Sequence, residues 1–187
     1  MSKSGDKTDM LRSGWRSRSQ KETVGARDKM QASLLDRLTD HHPEKKKEAA
    51  NSSLISHSTL RRHVLRDLQW LFNTVNHENP YLDDKLDHVR RSVLNFGVTP
   101  LAGQRMSDIE WQDVQSKLTE AILSFEPRIL PEGLHVKCVS DMRALDLHNI
   151  LSIEIRGRLW CVPYPLEFLF RTDIDLENGH FELKDAG

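Results

Sequence analysis

Leu151-Ser152-Ile153-Glu154-Ile155-Arg156-Gly157-Arg158-Leu159-Trp160-Cys161-Val162 is the stretch that decides the fold of the C-terminal half. Leu151, Ile153 and Ile155 alternate with Ser152, Glu154 and Arg156. A period of two puts successive side chains on opposite faces of a strand, so one face is apolar and the other polar. Gly157 permits a tight turn into Arg158-Leu159-Trp160-Cys161-Val162, and the sequence therefore predicts a hairpin here.

The same period extends to both sides. Upstream, Leu134, Val136 and Cys138 alternate with His135 and Lys137. Downstream, a longer strand starts after Pro165, with Phe168, Phe170, Ile174 and Leu176 facing one way and Glu167, Arg171, Asp173 and Asp175 the other. Asn178-Gly179 then predicts a hairpin turn into Phe181-Glu182-Leu183.

Before residue 130 the period is helical. Leu60, Val64, Leu68, Leu71 and Val75 share one face of a helix that Ser56 or Ser58 caps and Asn79-Pro80 follows. A shorter helix is expected over Asp83 to Arg91, with Gly97 a candidate left-handed cap beyond it. Ser107-Asp108-Ile109-Glu110 has the form of a capping box, and Trp111, Val114, Leu118, Ile122 and Phe125 make the apolar stripe of a second long helix ended by Pro127. Two or three helices followed by antiparallel strands give an α+β fold, expected over residues 55–187. Residues 1–50 read as a polar tail, mostly disordered, because so few apolar anchors do not offset ordering costs of about 1–2 kcal/mol per residue. Its one amphipathic stretch, Ser33-Leu34-Leu35-Asp36-Arg37-Leu38, is either a transient helical turn or a docking segment.

Composition narrows the function classes. The 187 residues are 37% hydrophobic and 29% charged, with net charge -1 and mean hydropathy -0.58. No basic field points to nucleic acid or a membrane surface, and no apolar run reaches the roughly 18 residues of a membrane helix, so the cytoplasm is the expected location. Cys138 and Cys161 sit apart in apolar runs and read as free buried thiols. The nine histidines form no zinc pattern; His41-His42 are adjacent and His57 and His63 are six apart. No cofactor and no metal are expected. Trp111 and Trp160 read as core residues.

Glu126-Pro127-Arg128 is the most informative local motif. Pro127 removes the helical conformation and favours an extended chain, in which Glu126 and Arg128 point to the same side. The pair is either a local salt bridge joining helix to sheet or a clamp for a partner chain, using the planar fork of arginine. The long strand over Glu167 to Glu177, with Arg171, Asp173 and Asp175 on its polar side, is either a solvated face or an edge open to strand addition. Glu126, Asp141, Asp108 and Glu110 are the carboxylates that a glycosidase reading would nominate, but no spacing pairs any two of them across a bond.

These motifs also resemble a known family. The run His148-Asn149-Ile150-Leu151-Ser152-Ile153-Glu154-Ile155-Arg156-Gly157-Arg158-Leu159-Trp160 resembles the central hairpin of the TssE baseplate proteins of type VI secretion. Leu169-Phe170-Arg171-Thr172-Asp173-Ile174-Asp175-Leu176-Glu177-Asn178-Gly179 resembles their closing strand and turn. Ser92-Val93-Leu94-Asn95-Phe96-Gly97, Leu34-Leu35-Asp36-Arg37-Leu38 and Glu126-Pro127-Arg128 are similar to further family segments. The first thirty residues lie outside the resemblance. TssE proteins share a wider family with a tailed-phage baseplate wedge protein, often labelled lysozyme-like. The resemblance implies a structural subunit, not an enzyme, of a cytoplasmic baseplate wedge with TssF, TssG and TssK. It also implies a role where the TssB/TssC sheath begins to polymerise. Glu126, Pro127 and Arg128 would grip the helical core bundle of the wedge, and the sheet holding Leu166 to Leu176 would continue the strand mesh of the sheath. Peptidoglycan hydrolysis is the alternative that the family label raises.

Overall fold

The computed structural model describes residues 30–40, 43–44, 54–77, 87–103, 109–139 and 150–187. Trp15 and the tail over residues 1–29, the basic run Lys45 to Lys47, Asn79-Pro80 and His148-Asn149 lie outside the described residues. The element order is β1 (Met30–Gln31), α1 (Leu34–Leu38), β2 (Leu54–Ile55), α2 (His57–Phe72), α3 (Asp87–Arg90), a 3-10 turn (Val93–Asn95), α4 (Trp111–Phe125), β3 (His135–Cys138), β4 (Ile150–Leu159), β5 (Leu166–Asp175) and β6 (His180–Asp185). The fold is α+β, as the change of period predicts.

The four C-terminal strands form one antiparallel sheet in the order β3-β4-β5-β6, and β1 pairs with β2 separately. In the β4–β5 register Glu154 faces Arg171 and Ser152 faces Asp173. The inner face carries Leu151, Ile153, Ile155, Phe168, Phe170 and Ile174, all buried, with Val64, Leu68, Leu118 and Ile122 of α2 and α4 packed over them. Met30 of β1 and Ile55 of β2 join the same core. The other face of the sheet is the polar one.

Gly157 does not turn the chain: β4 runs unbroken through it, paired with β5 from Ile150↔Asp175 to Leu159↔Leu166. Glycine is needed there because a Cβ would lie 2.9 Å from two ring carbons of Phe168. The chain reverses later, between Leu159 and Leu166, so Trp160-Cys161-Val162 is loop, and Trp160 is 60% exposed instead of buried in the core. Trp111 does pack against the core.

Two helix limits also differ from expectation. Ser56 caps α2, its hydroxyl accepting the Thr59 N–H at 3.2 Å, but the helix stops at Phe72 and Val75 is exposed. Residues 74–76 are instead drawn into a short ladder, with Val98 N–H donating to Thr74 O at 2.8 Å and Asn76 N–H to Val98 O at 3.1 Å. This close approach requires Gly97, whose φ is 130° and where a Cβ would meet the Thr74 oxygen at 2.4 Å. Helix α4 starts at Trp111 with Glu110 in the N-cap position and no side-chain cap, so the expected capping box does not form. Ile109, just before the helix, is buried. Ser107 and Asp108 lie outside the described residues.

Candidate functional site

Glu126 ends α4, its N–H donating to Ile122 O at 2.8 Å. The next three residues close a β-turn through Ile129 N–H to Glu126 O at 3.1 Å, with Pro127 at the position where its fixed φ suits a turn. The segment is therefore a turn and not an extended chain. It still sets both charges on one side. Arg128 Nε donates to Glu126 Oε1 at 2.7 Å and Nη2 to Oε2 at 2.5 Å, while the Arg128 backbone N–H also reaches Oε1 at 3.1 Å. Asp67 of α2 accepts from the same Nη2 at 2.5 Å.

The carboxylate of Glu126 is buried at 4% exposure, and Arg128 keeps 21% of its side chain exposed. Burial acts to lower the Arg128 pKa, but Glu126 and Asp67 outweigh it and raise it above the ordinary arginine value. The pair is thus an internal, bidentate ion pair that locks helix α4, the turn and α2 together. Arg128 Nη1 makes no hydrogen bond among the described residues.

The turn borders a cavity of about 810 Å³ lined by Leu35, Trp70, Phe125, Pro127, Trp160 and Val162 among others. Trp160 N–H donates to Arg128 O at 2.7 Å, so the end of β4 carries this indole to the turn. Trp70 is 50% exposed, and the Arg66 guanidinium lies 4.9 Å from its ring centre. Sequence reasoning missed Asp67, Trp70 and Trp160 as members of this site. The available signal was Trp70 placed off the apolar stripe of α2.

Arg171, Asp173 and Asp175 stand on the polar face of the sheet, some distance in chain and register from the turn. Arg171 donates to Glu154 Oε1 from Nε at 3.0 Å and Nη2 at 2.6 Å, and Arg156 donates to Oε2 at 3.0 Å. The hydrogen bonds from Arg171 and then Arg156 hold the Glu154 carboxyl below the ordinary glutamate value. Asp173 accepts from Ser152 Oγ at 2.6 Å. Asp175 stabilises the turn, accepting from Glu177 N–H at 2.8 Å and Asn178 Nδ2 at 2.7 Å.

The strand that carries these residues is not an edge, since β5 is paired on both sides. The two edges differ. The outer side of β6 is capped by α2: Gln69 Nε2 and Asn73 Nδ2 both donate to Phe181 O, Asn73 Oδ1 accepts Phe181 N–H at 3.0 Å and Gln69 Oε1 accepts Leu183 N–H at 2.8 Å. The outer side of β3 has no paired strand among the described residues. Val139 N–H donates to Ser152 O at 2.9 Å, which sets the alternation of the ladder and turns the backbone groups of Val136 and Cys138 outward.

The remaining candidates are scattered. His57 Nε2 lies 3.2 Å from Val162 O, while His63 Nδ1 lies 2.9 Å from Asp36. Cys138 and Cys161 are free thiols, Cys161 buried and Cys138 half-buried. Burial raises the Cys161 pKa, against a backbone hydrogen bond that lowers it. Asp108 and Asp141 lie outside the described residues. No helix among the described residues is long and apolar enough to cross a membrane.

Helices on one face of an antiparallel sheet, with a pinned charged turn beside an apolar groove, define a small α+β domain. A family model described as baseplate wedge protein gp25 matches residues 58–164, more than half of the chain, and the chain belongs to that family. It is thereby a structural component of a phage-tail-like baseplate. No curated protein matches the chain.

Proposed function

We propose that this chain is the TssE-type wedge subunit of a type VI secretion baseplate, assembled with TssF, TssG and TssK on the cytoplasmic side of the inner membrane. It joins the wedge to the sheath and helps TssB/TssC polymerisation begin. The observation that carries this reading is the Glu126-Pro127-Arg128 turn, held rigid beside a groove with two exposed indoles. Arg128 is oriented by Glu126 and Asp67 before any partner arrives, so little side-chain entropy is lost on binding. Its Nη1 donors and the exposed Pro127 ring suit the last turn of a partner helix, where carbonyl oxygens lack intrahelical donors.

The sheath contact uses the sheet. With β6 capped by Gln69 and Asn73, β3 is the edge that takes a strand, at the outward backbone groups of Val136 and Cys138. Arg171, Asp173 and Asp175 line the polar face beside that mesh, held straight by Glu154, Ser152 and the turn at Asn178. A fixed ring of strand acceptors removes the cost of ordering several free sheath subunits at once.

Catalysis is not part of this reading. Both oxygens of the Glu126 carboxylate are committed to Arg128, which leaves neither free to meet a leaving group. Reconstitution tests the proposal: the purified chain should enter a complex with TssF and TssG and should not clear labelled cell walls. Clearing that stops in Glu126→Gln would support the hydrolase alternative instead.

A further inference from the structure

Helix α1 is amphipathic in the wrong sense for an isolated protein. Its one acidic side chain is turned inward, and its three leucines are turned out. The Asp36 side chain is 5% exposed, approached by Arg66 Nη1 at 2.8 Å and His63 Nδ1 at 2.9 Å, with the Ser33 hydroxyl donating to it at 2.6 Å. Leu34, Leu35 and Leu38 are 69%, 50% and 74% exposed. A five-residue helix has little intrinsic stability, so the Asp36 anchor is what fixes this orientation. Leu35 also lines the groove beside Pro127 and Trp160, which makes the leucine ridge continuous with that groove. The ridge lies outside the span matched by the family.

Two exposed arginines stand near the ridge. Arg37 and Arg62 are exposed and have no salt-bridge partner among the described residues; Arg62 is near enough for its charge to act on His63. We propose that α1 is a second docking element, taking an amphipathic helix of another baseplate subunit whose apolar face is flanked by Asp or Glu. The leucines fill its apolar face, and Arg37 and Arg62 receive the acids. The inference rests on the reading of the chain as a baseplate subunit, and it adds a contact separate from the Arg128 turn.

Photo-crosslinking in the assembled wedge tests it directly. A photoreactive residue in place of Leu38 should label a peptide of another subunit with apolar residues three and four apart and acidic neighbours. A crosslink to a second copy, to residues 1–29 or 41–53 of the same chain, to a stretch without that pattern, or to nothing overturns it. In parallel, Leu34→Ser with Leu38→Ser should cut the yield of the wedge complex at least tenfold while the melting temperature stays put. Undiminished yield overturns the inference. Trp160→Ala separates it from the groove reading: loss in the leucine pair alone leaves the ridge standing and rejects the groove, and loss in Trp160→Ala alone does the reverse.

Discussion

Arg128 closes on Glu126 with two parallel hydrogen bonds, at 2.7 and 2.5 Å, across a turn that contains only one residue between them. The carboxylate is more deeply buried than the guanidinium. Removing Arg128 therefore strands a buried charge, whereas removing both charges strands none. Arg128→Ala should cost about 3–5 kcal/mol of folding stability, and Glu126→Leu with Arg128→Met should recover most of it. Urea unfolding of the two variants checks this; equal losses in both would contradict it. Arg128→Ala is for the same reason a poor test of partner binding, since lost stability and lost contact would be confounded.

Gly157 is a packing position. Gly157→Ala should cost about 1–3 kcal/mol, because the Phe168 ring must move to admit the methyl group. Adding Phe168→Leu should reduce that penalty, a coupling measurable in a double-mutant cycle. Additive losses would show that the two residues do not meet across β4 and β5.

The β6 edge is closed by side chains and can be opened. Gln69→Leu with Asn73→Leu leaves the backbone groups of Phe181 and Leu183 without their partners, at about 1–3 kcal/mol each. The same change exposes a strand edge, so concentration-dependent association should appear in sedimentation. A monomer of unchanged stability would remove the capping role.

Acid should loosen α1 in two steps. Burial lowers the His63 pKa, with Arg66 and Arg62 acting the same way and Asp36 and Asp67 opposing, so the fold favours neutral His63. That contribution is complete above about pH 6.5 and fades as pH falls through the lower folded value. Burial raises the Asp36 carboxyl, but Ser33, Arg66 and His63 outweigh it and hold it below the ordinary aspartate value. Its contribution is present above about pH 3.9 and is lost below that. His63→Gln should remove the upper step of a stability-against-pH curve and shrink the lower one, which Ser33 and Arg66 still support; a curve unchanged by the substitution would contradict the assignment.

The fold was legible because periods of two and of three to four residues survive in the core positions Leu60 to Leu71, Val114 to Ile122, and Leu151 to Ile174. What misled were residues whose role depends on something distant in sequence. Gly157 looks like a turn until Phe168 is seen to lie against it. Val75 continues the helical stripe, yet the ladder to Val98 takes it out of the helix. At the site, Glu126-Pro127-Arg128 was visible as a unit, since its bonds are local. Asp67 and Trp160 were not, because α2 and the end of β4 reach the turn only through the tertiary fold.

The central claim is that the groove beside the Arg128 turn is where this subunit is held in the baseplate. Trp160 is exposed and supports no core packing, so Trp160→Ala tests the contact without unfolding the chain. The decisive measurement is the affinity of this variant for a purified TssF–TssG complex, alongside its melting curve. A buried interface indole predicts a loss of at least about 2 kcal/mol, roughly thirtyfold in Kd, at unchanged melting temperature. Wild-type affinity in Trp160→Ala would contradict the account.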